Sequence, residues 1–497
     1  WIPETHAGYY KFNGASINGP GRLQIGYAVS SYSPTVTFNN VSTSSLTLLR
    51  EEKGTLVFSG SNTFANTKFF ANGTTNTNWF IIPTATYTGN TEWWAKGNIT
   101  LSNNLSTSGN ITLGAGWNAN IATPTTTSSG MITNNAALSA ANVTFKAGKM
   151  ALGGTINGST AVSLLSTNAI DLGAITTGDA LTTLELSSAE LNTITTPILR
   201  IGDANSGAIT VKSALGNTLS TDALKNISNR LNLTSGGAIT QASGATIAAI
   251  PGLSLSGSSV TLTEANPVGV ISGSTSGGSF SYKSSNPISV TTVDGVSGIT
   301  TNNGAVSLTA ATGDVSIPGQ INAGTGNVNL TATTGSVYGS GTSPDIIAGS
   351  LDISAFINIY GVGGLHTQVS QIGNLSASTG YINLRDFGTT GISLGPISAS
   401  GNIAITASSP ITVSGGSGIT SSSGNINLAA GSASVLTVNA PLTVGSSGQI
   451  TLTGGSLAGT NSAAYSGFFT GTNTSSNSNN SNSNSNSNSN SNSNSNS

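Results

Sequence analysis

Cysteine is absent from all 497 residues, which excludes disulfides and thiolate metal sites. A chain that must stay unlinked while crossing an oxidising compartment has this composition, and export is the expectation. Charge is almost as scarce: only 6% of residues are Asp, Glu, Lys or Arg, where an ordinary soluble chain has about a quarter. The formal net charge is −2 and no two basic residues are adjacent, so the positive footprint needed for nucleic acid or an anionic membrane surface is missing. No stretch of about 18 apolar residues is present to cross a bilayer as a helix. Aromatics make up 6% and Trp117 is the last tryptophan, which argues against an array of immunoglobulin-like sandwiches with a buried Trp in each module.

In place of charge the chain has 64 glycines and abundant Ser, Thr and Asn, with an apolar fraction of 36%. Ile, Leu and Val recur in short alternations that disordered segments lack, so most of the chain is expected to fold. Composition divides it into three parts. Residues 1–96 hold Trp1, Trp79, Trp93 and Trp94 and the charge cluster Arg50-Glu51-Glu52-Lys53, and are expected to form an aromatic-rich N-terminal β segment or cap. Residues 97–470 are a loose repeat. Residues 471–497 are an Asn/Ser low-complexity tail with nothing to bury, expected to be a flexible spacer, or alternatively an Asn-rich zipper that orders on assembly. The chain opens on Trp1 with no signal-peptide pattern ahead of it, which suggests a processed or excised form.

The repeat introduces an alternating strand with Gly and a small polar residue: GNITL at 97 and again at 109, GAITV at 207, GAVSL at 304, GNVNL at 326, GYINL at 380, GNIAI at 401, GNINL at 424 and GQITL at 448. The final period contains Ile426 and Leu428, Leu436 and Val438, then Leu442 and Val444, before Ile450 and Leu452 reopen the pattern. The preceding one contains Ile403 and Ile405, Ile411 and Val413, then Ile419. Three short strands per 21–24 residue coil, each with one apolar face, predict an all-β right-handed parallel β-helix, a β-solenoid whose coils bury their Ile, Leu and Val only by stacking. In-register stacking also accounts for the missing charge, since like charges would sit one above another whereas amides and hydroxyls bond along the axis. Twelve residues are too few for a coil, so Ile99 and Ile111 are expected on two sides of one turn rather than stacked. Helix is expected only as a short decoration, at 187–194 or at 221–231 with Thr221 and Asp222 as caps.

The segments GAITTGDALTTLELSSAELNTITTPILRIGDANSGAITV at 173–211, DGVSGITTNNGAVSLTAATGDVSI at 294–317 and NAGTGNVNLTATTGSV at 322–337 resemble repeats of filamentous haemagglutinin-type proteins, bacterial exoproteins of the two-partner secretion class. That resemblance implies Sec export, an outer-membrane secretion partner, a secreted or cell-surface location and roles in adhesion or biofilm. The Asn-rich targeting segment of that family is not evident in WIPETHAGYYKFNGASINGPGRL, and EKGTLVFSGSNTF at 52–64 resembles autotransporter strand repeats instead.

Parallel β-helices also carry polysaccharide lyases and hydrolases, which would need clustered or paired carboxylates, and form phage tailspike shafts, which would be obligate trimers. The sixteen acids are spread thinly. Glu51-Glu52 sits between Arg50 and Lys53 as a charged turn; Asp345 and Asp352 lack a completing partner; Asp294 and Asp314 could stack on adjacent coils, although Asp before Gly is typical of a turn. His6 and His366 stand in no catalytic motif, and Arg385-Asp386 is expected to form a local ion pair. Asn-X-Ser/Thr sequons such as Asn72, Asn98, Asn110, Asn142, Asn232 and Asn329 are about as frequent as composition delivers, which leaves glycosylation open. No catalytic residue, metal site or cofactor is expected. Trp93 and Trp94, flanked by Glu92 and Lys96, are the candidates for a glycan-stacking platform, with a hydrophobic cap as their alternative role. The expected function is that of an extracellular fibrous protein in adhesion or in filament and biofilm-matrix formation. Self-association into fibres or bundles is expected, as is contact with cell-surface or matrix glycans and proteins.

Overall fold

A computed structural model describes residues 9–19, 21–25, 35–50, 55–72, 85–118, 120–173, 182–341, 344–414, 416–459 and 469–473. His6, the acidic pair Glu51-Glu52 with Lys53, and the Asn/Ser run from 474 onward lie outside the described residues.

Alternation dictates the architecture. In an extended strand successive side chains point to opposite faces, so Ile382 and Leu384 point inward while Asn383 and Arg385 point outward. The same choice is repeated one turn later. Ile382 pairs with Ile403, Ile403 with Ile426 and Ile426 with Ile450, all in parallel register. A second face stacks Ile392, Ile411 and Leu436, and a third stacks Ile397, Ile419 and Leu442. All the strands read from the last two periods are present in order. Among the described residues every strand pair is parallel except the hairpin Thr292–Val293 with Val296–Ser297, which disposes of an antiparallel sandwich. The result is a β-solenoid of about 18 stacked turns, a rod of roughly 85 Å at about 4.8 Å per turn.

Stacking runs through the aromatic segment as well. Thr35–Asn39 pairs with Thr55–Ser59, and Thr47–Arg50 pairs with Lys68–Ala71, then Thr91–Ala95, then Asn110–Ala115. Its core column is built of rings rather than aliphatic chains: Phe64 meets Phe69 edge-on at 5.3 Å between centroids, and Phe69 lies flat on Trp93 at 3.7 Å.

Ile99 pairs with Ile132, whereas Ile111 lies between Thr91 and Val143, so the two GNITL copies are not stacked on one another. The 21–24 residue coil, however, describes only part of the rod. Ile156 pairs with Ile194 and Ile170 with Ile209, because residues 182–193 form an excursion from the coil. It carries a helix, Ser188–Asn192, closed by a capping box between Ser187 and Glu190, and a strand, Thr183–Leu186, beside Ala169–Leu172. The second helical expectation fails. Asp222 accepts hydrogen bonds from the Thr218 and Leu219 amides at 2.8 and 2.7 Å, and the chain turns into the strand Ile227–Thr234, whose Leu231 and Leu233 are needed in the core.

Corners are held by amide ladders. The Asn402 side chain accepts from the Asn425 amide, and the Asn425 side chain accepts from the Gln449 amide, each at 2.8 Å. Asn66, Asn90 and Asn110 repeat the device at 2.9 and 3.0 Å. Asn425→Ala removes one rung without opening the core; the expected cost is about 1 kcal/mol, read as raised amide exchange at Gln449 and the adjoining turn, with no change at Asn90.

Candidate functional site

The outer surface of the described residues is mostly hydroxyl and amide, and it is interrupted where residues 337–341 and 344–387 wind past. Ser289, Ser316, Tyr338 and Tyr360 occupy one outward column in register. Two serines are thus followed by two phenols. The Tyr338 and Tyr360 rings stack with centroids 5.3 Å apart, and Tyr381, one turn on and offset toward the corner, lies 6.0 Å from Tyr360. Burial, reinforced by the neighbouring phenols and the Asp314 carboxylate, raises the Tyr360 hydroxyl above its ordinary pKa, so the phenol keeps its proton and can both donate and accept. Phe356, Ile357, Val362 and Tyr381 are four of the seven large apolar side chains left exposed among the described residues. Concentrated exposed apolar surface on an otherwise polar protein marks an interaction site.

Register explains the relief of this surface. Ile359 pairs with Ile382 and Leu365 with Leu384, so residues that are six apart on one turn match residues that are two apart on the next. The excess loops out as Gly361-Val362-Gly363-Gly364, closed by a hydrogen bond from the Gly364 amide to the Gly361 carbonyl at 3.0 Å. Gly363 has φ +78°, which a side chain would resist. Val362 stands at the tip, 76% exposed. The following turn has no such loop and forms a step beneath it.

Beside the step an acid, an imidazole and a guanidinium occupy successive turns: Asp345, His366 and Arg385. Asp345 is buried. One of its oxygens accepts from the Ser340 amide at 3.0 Å and the other from the His366 amide at 3.0 Å. A Cβ on Gly339 would lie 2.0 Å from that second oxygen, so only glycine fits there. The His366 ring, 7% exposed, meets Phe387 edge-on at 4.9 Å, and neither ring nitrogen has a hydrogen-bond partner. Arg385 does not form the expected ion pair with Asp386. Neighbours in a strand point to opposite faces: the guanidinium lies over Phe387, at 4.9 Å, while the Asp386 carboxylate turns inward and accepts from Thr367 Oγ1, the Val369 amide and the Gly388 amide at 2.9, 3.0 and 2.9 Å. Burial raises its pKa against those hydrogen bonds. Both buried carboxylates thus hold backbone turns together.

The other sequence candidates are dispersed. Trp93 and Trp94 are 1% and 2% exposed, so the ring faces a sugar would need are covered. Trp93 points into the core; Trp94 points outward but is roofed by a second cluster with Leu49, Phe70 and Trp117, and its Nε1 donates to Glu92 at 3.0 Å. A cavity of about 530 Å³ opens beside that cluster, lined by Arg22, Leu49, Asn72, Trp117, Asn120 and Ile121 among others. Its Asn120 amide is spent on the loop's own Ala122 and Thr123. Asp294 and Asp314 do not stack: Asp294 sits in the hairpin turn and reaches Arg200, while Asp314 accepts from the Ser336 amide at 2.7 Å. Among the described residues no group of three metal-ligating side chains converges, and no helix is long and apolar enough to cross a membrane.

The tyrosine ladder was missed in the sequence although its signal is there: Tyr338, Tyr360 and Tyr381 recur at the coil period. Comparison with family models, curated proteins and solved structures finds no match to this chain.

Proposed function

We propose that the chain is a secreted or cell-surface fibrous protein that acts by reach and contact, in adhesion or in filament and biofilm-matrix formation. In this reading it leaves the cell through an outer-membrane partner, as the likeness of its repeats to filamentous haemagglutinin-type sequences suggests, and it performs no catalysis. The observation that carries the reading is the continuity of the stack, a long polar rod bearing a concentrated apolar and aromatic zone at Tyr338, Phe356, Ile357, Tyr360, Val362 and Tyr381. Supporting it, Asp345 and Asp386 direct their oxygens to backbone amides, which leaves them poorly placed to act as a paired acid and base.

Latex beads coated with the purified chain test this directly. They are expected to adhere to one another or to a glycan-coated surface, and the same protein to release neither reducing ends nor unsaturated sugars from uronate and neutral polysaccharides. Dispersed, non-adherent beads together with sugar release would overturn the reading in favour of a β-helical lyase or hydrolase.

A further inference from the structure

We infer that the surface carried by Tyr338, Phe356, Ile357, Tyr360, Val362 and Tyr381 is where two copies of this chain pair side by side across a twofold axis; this rests on the contact role proposed above and names its partner. A twofold contact must be complementary to itself, and three features here have that property. The Val362 loop projects while the next turn, lacking those residues, recedes, so a knob and a step lie next to each other and can exchange between copies. The tyrosine column presents phenols, and each can donate to or accept from an identical phenol. Finally, the margins carry opposite signs: Asp314 lies on the turn before Tyr338, and Arg385 lies on the turn after Tyr360. A second copy therefore brings a base toward an acid at both margins.

Electrostatics beyond the patch offers no opposition, since a net charge of −2 on 497 residues gives two copies little reason to repel. A glycan fits the phenols but not the exposed aliphatic side chains of Ile357 and the Val362 knob, which with Phe356 match a protein surface of the same kind.

The absence of cysteine makes the test clean. Val362→Cys places a single thiol at the tip of the loop; Leu219→Cys places one at another exposed site, 65% accessible and remote in the chain. On mild oxidation the Val362→Cys protein is expected to cross-link into a dimer at least tenfold faster than the Leu219→Cys protein. Sedimentation of the unmodified full chain is expected to show a dimer that Val362→Asp converts to monomer with an unchanged circular-dichroism spectrum. A monomeric wild-type chain, equal cross-linking at the two sites, or a dimer that survives Val362→Asp overturns the inference. A monomeric chain whose coated beads still bind a glycan surface would overturn the pairing alone and leave the adhesive role standing.

Discussion

Replacing Leu428 with Asp is expected to unfold the C-terminal coils while leaving the distant ones folded. Leu428 is fully buried and stacked between Ile405 and Leu452. A carboxylate there has no partner in either neighbouring turn, and its cost, roughly 4 kcal/mol or more, exceeds the roughly 1–3 kcal/mol that one coil of this length contributes. In a solenoid each coil touches only its neighbours, so the damage should propagate to nearby turns and then stop. Hydrogen exchange followed by mass spectrometry should show peptides from 403–452 losing protection while peptides from 253–310 keep it. Uniform loss along the chain would mean that the rod folds as one cooperative unit.

Asp294→Ala is expected to release a strap that the sequence does not announce. The hairpin Thr292–Val293 with Val296–Ser297 folds back over the outside of earlier coils. Its Asp294 takes a bidentate hydrogen bond from Arg200, both contacts at 2.7 Å, and a third from Asn232 at 3.1 Å. Val293 is buried against Gly252, where a Cβ would already sit 3.1 Å from it, and Ser272 donates to its carbonyl at 3.4 Å. Burial alone would raise the Asp294 carboxyl, but the hydrogen bonds and charge of Arg200, with Asn232 and Arg230, outweigh it and hold the pKa below the usual value. Losing one partner of a buried pair costs several kcal/mol, reduced here to about 2 kcal/mol because the Arg200 side chain is 40% exposed and partly screened by solvent.

The sign of its pH dependence follows. A depressed carboxyl contributes its full stability above the unfolded pKa and loses it as pH falls through the lower, folded value. Wild-type protein should therefore release the hairpin only in acid, below the ordinary carboxylate range. The Asp294→Ala protein should have it released at neutral pH, with no further change at that hairpin on acidification. Cleavage by a protease at 292–297 across a pH series reads both arms, and identical cleavage of the two proteins at neutral pH would show that the ion pair does not hold the strap.

The contrast between these two residues marks what the sequence makes legible. Leu428 belongs to a short period that repeats with little interruption, and counting apolar positions from Ile382 to Leu452 yields the strands, their order and their register. Asp294 lies one period from Asp314, and spacing alone suggested that the two stack; its actual partner is Arg200, and nothing periodic connects them. The 21–24 residue coil misses the longer turns between 97 and 250 for the same reason, because excursions such as 182–193 carry no period of their own. Trp94 shows a second limit. Alternation correctly turns it outward, but whether an outward ring is open or roofed depends on Trp117 and the loop that follows it. The tyrosine ladder could have been found by asking which outward residues, rather than which inward ones, recur at the coil period.

Electron microscopy of the purified chain in negative stain tests the central claim most directly, that a single continuous stack does the work by presenting its length and one contact zone. The expected image is a population of straight rods about 85 Å long, lying side by side in pairs. Two compact bodies joined by a flexible link, with the break near residue 97, would contradict it.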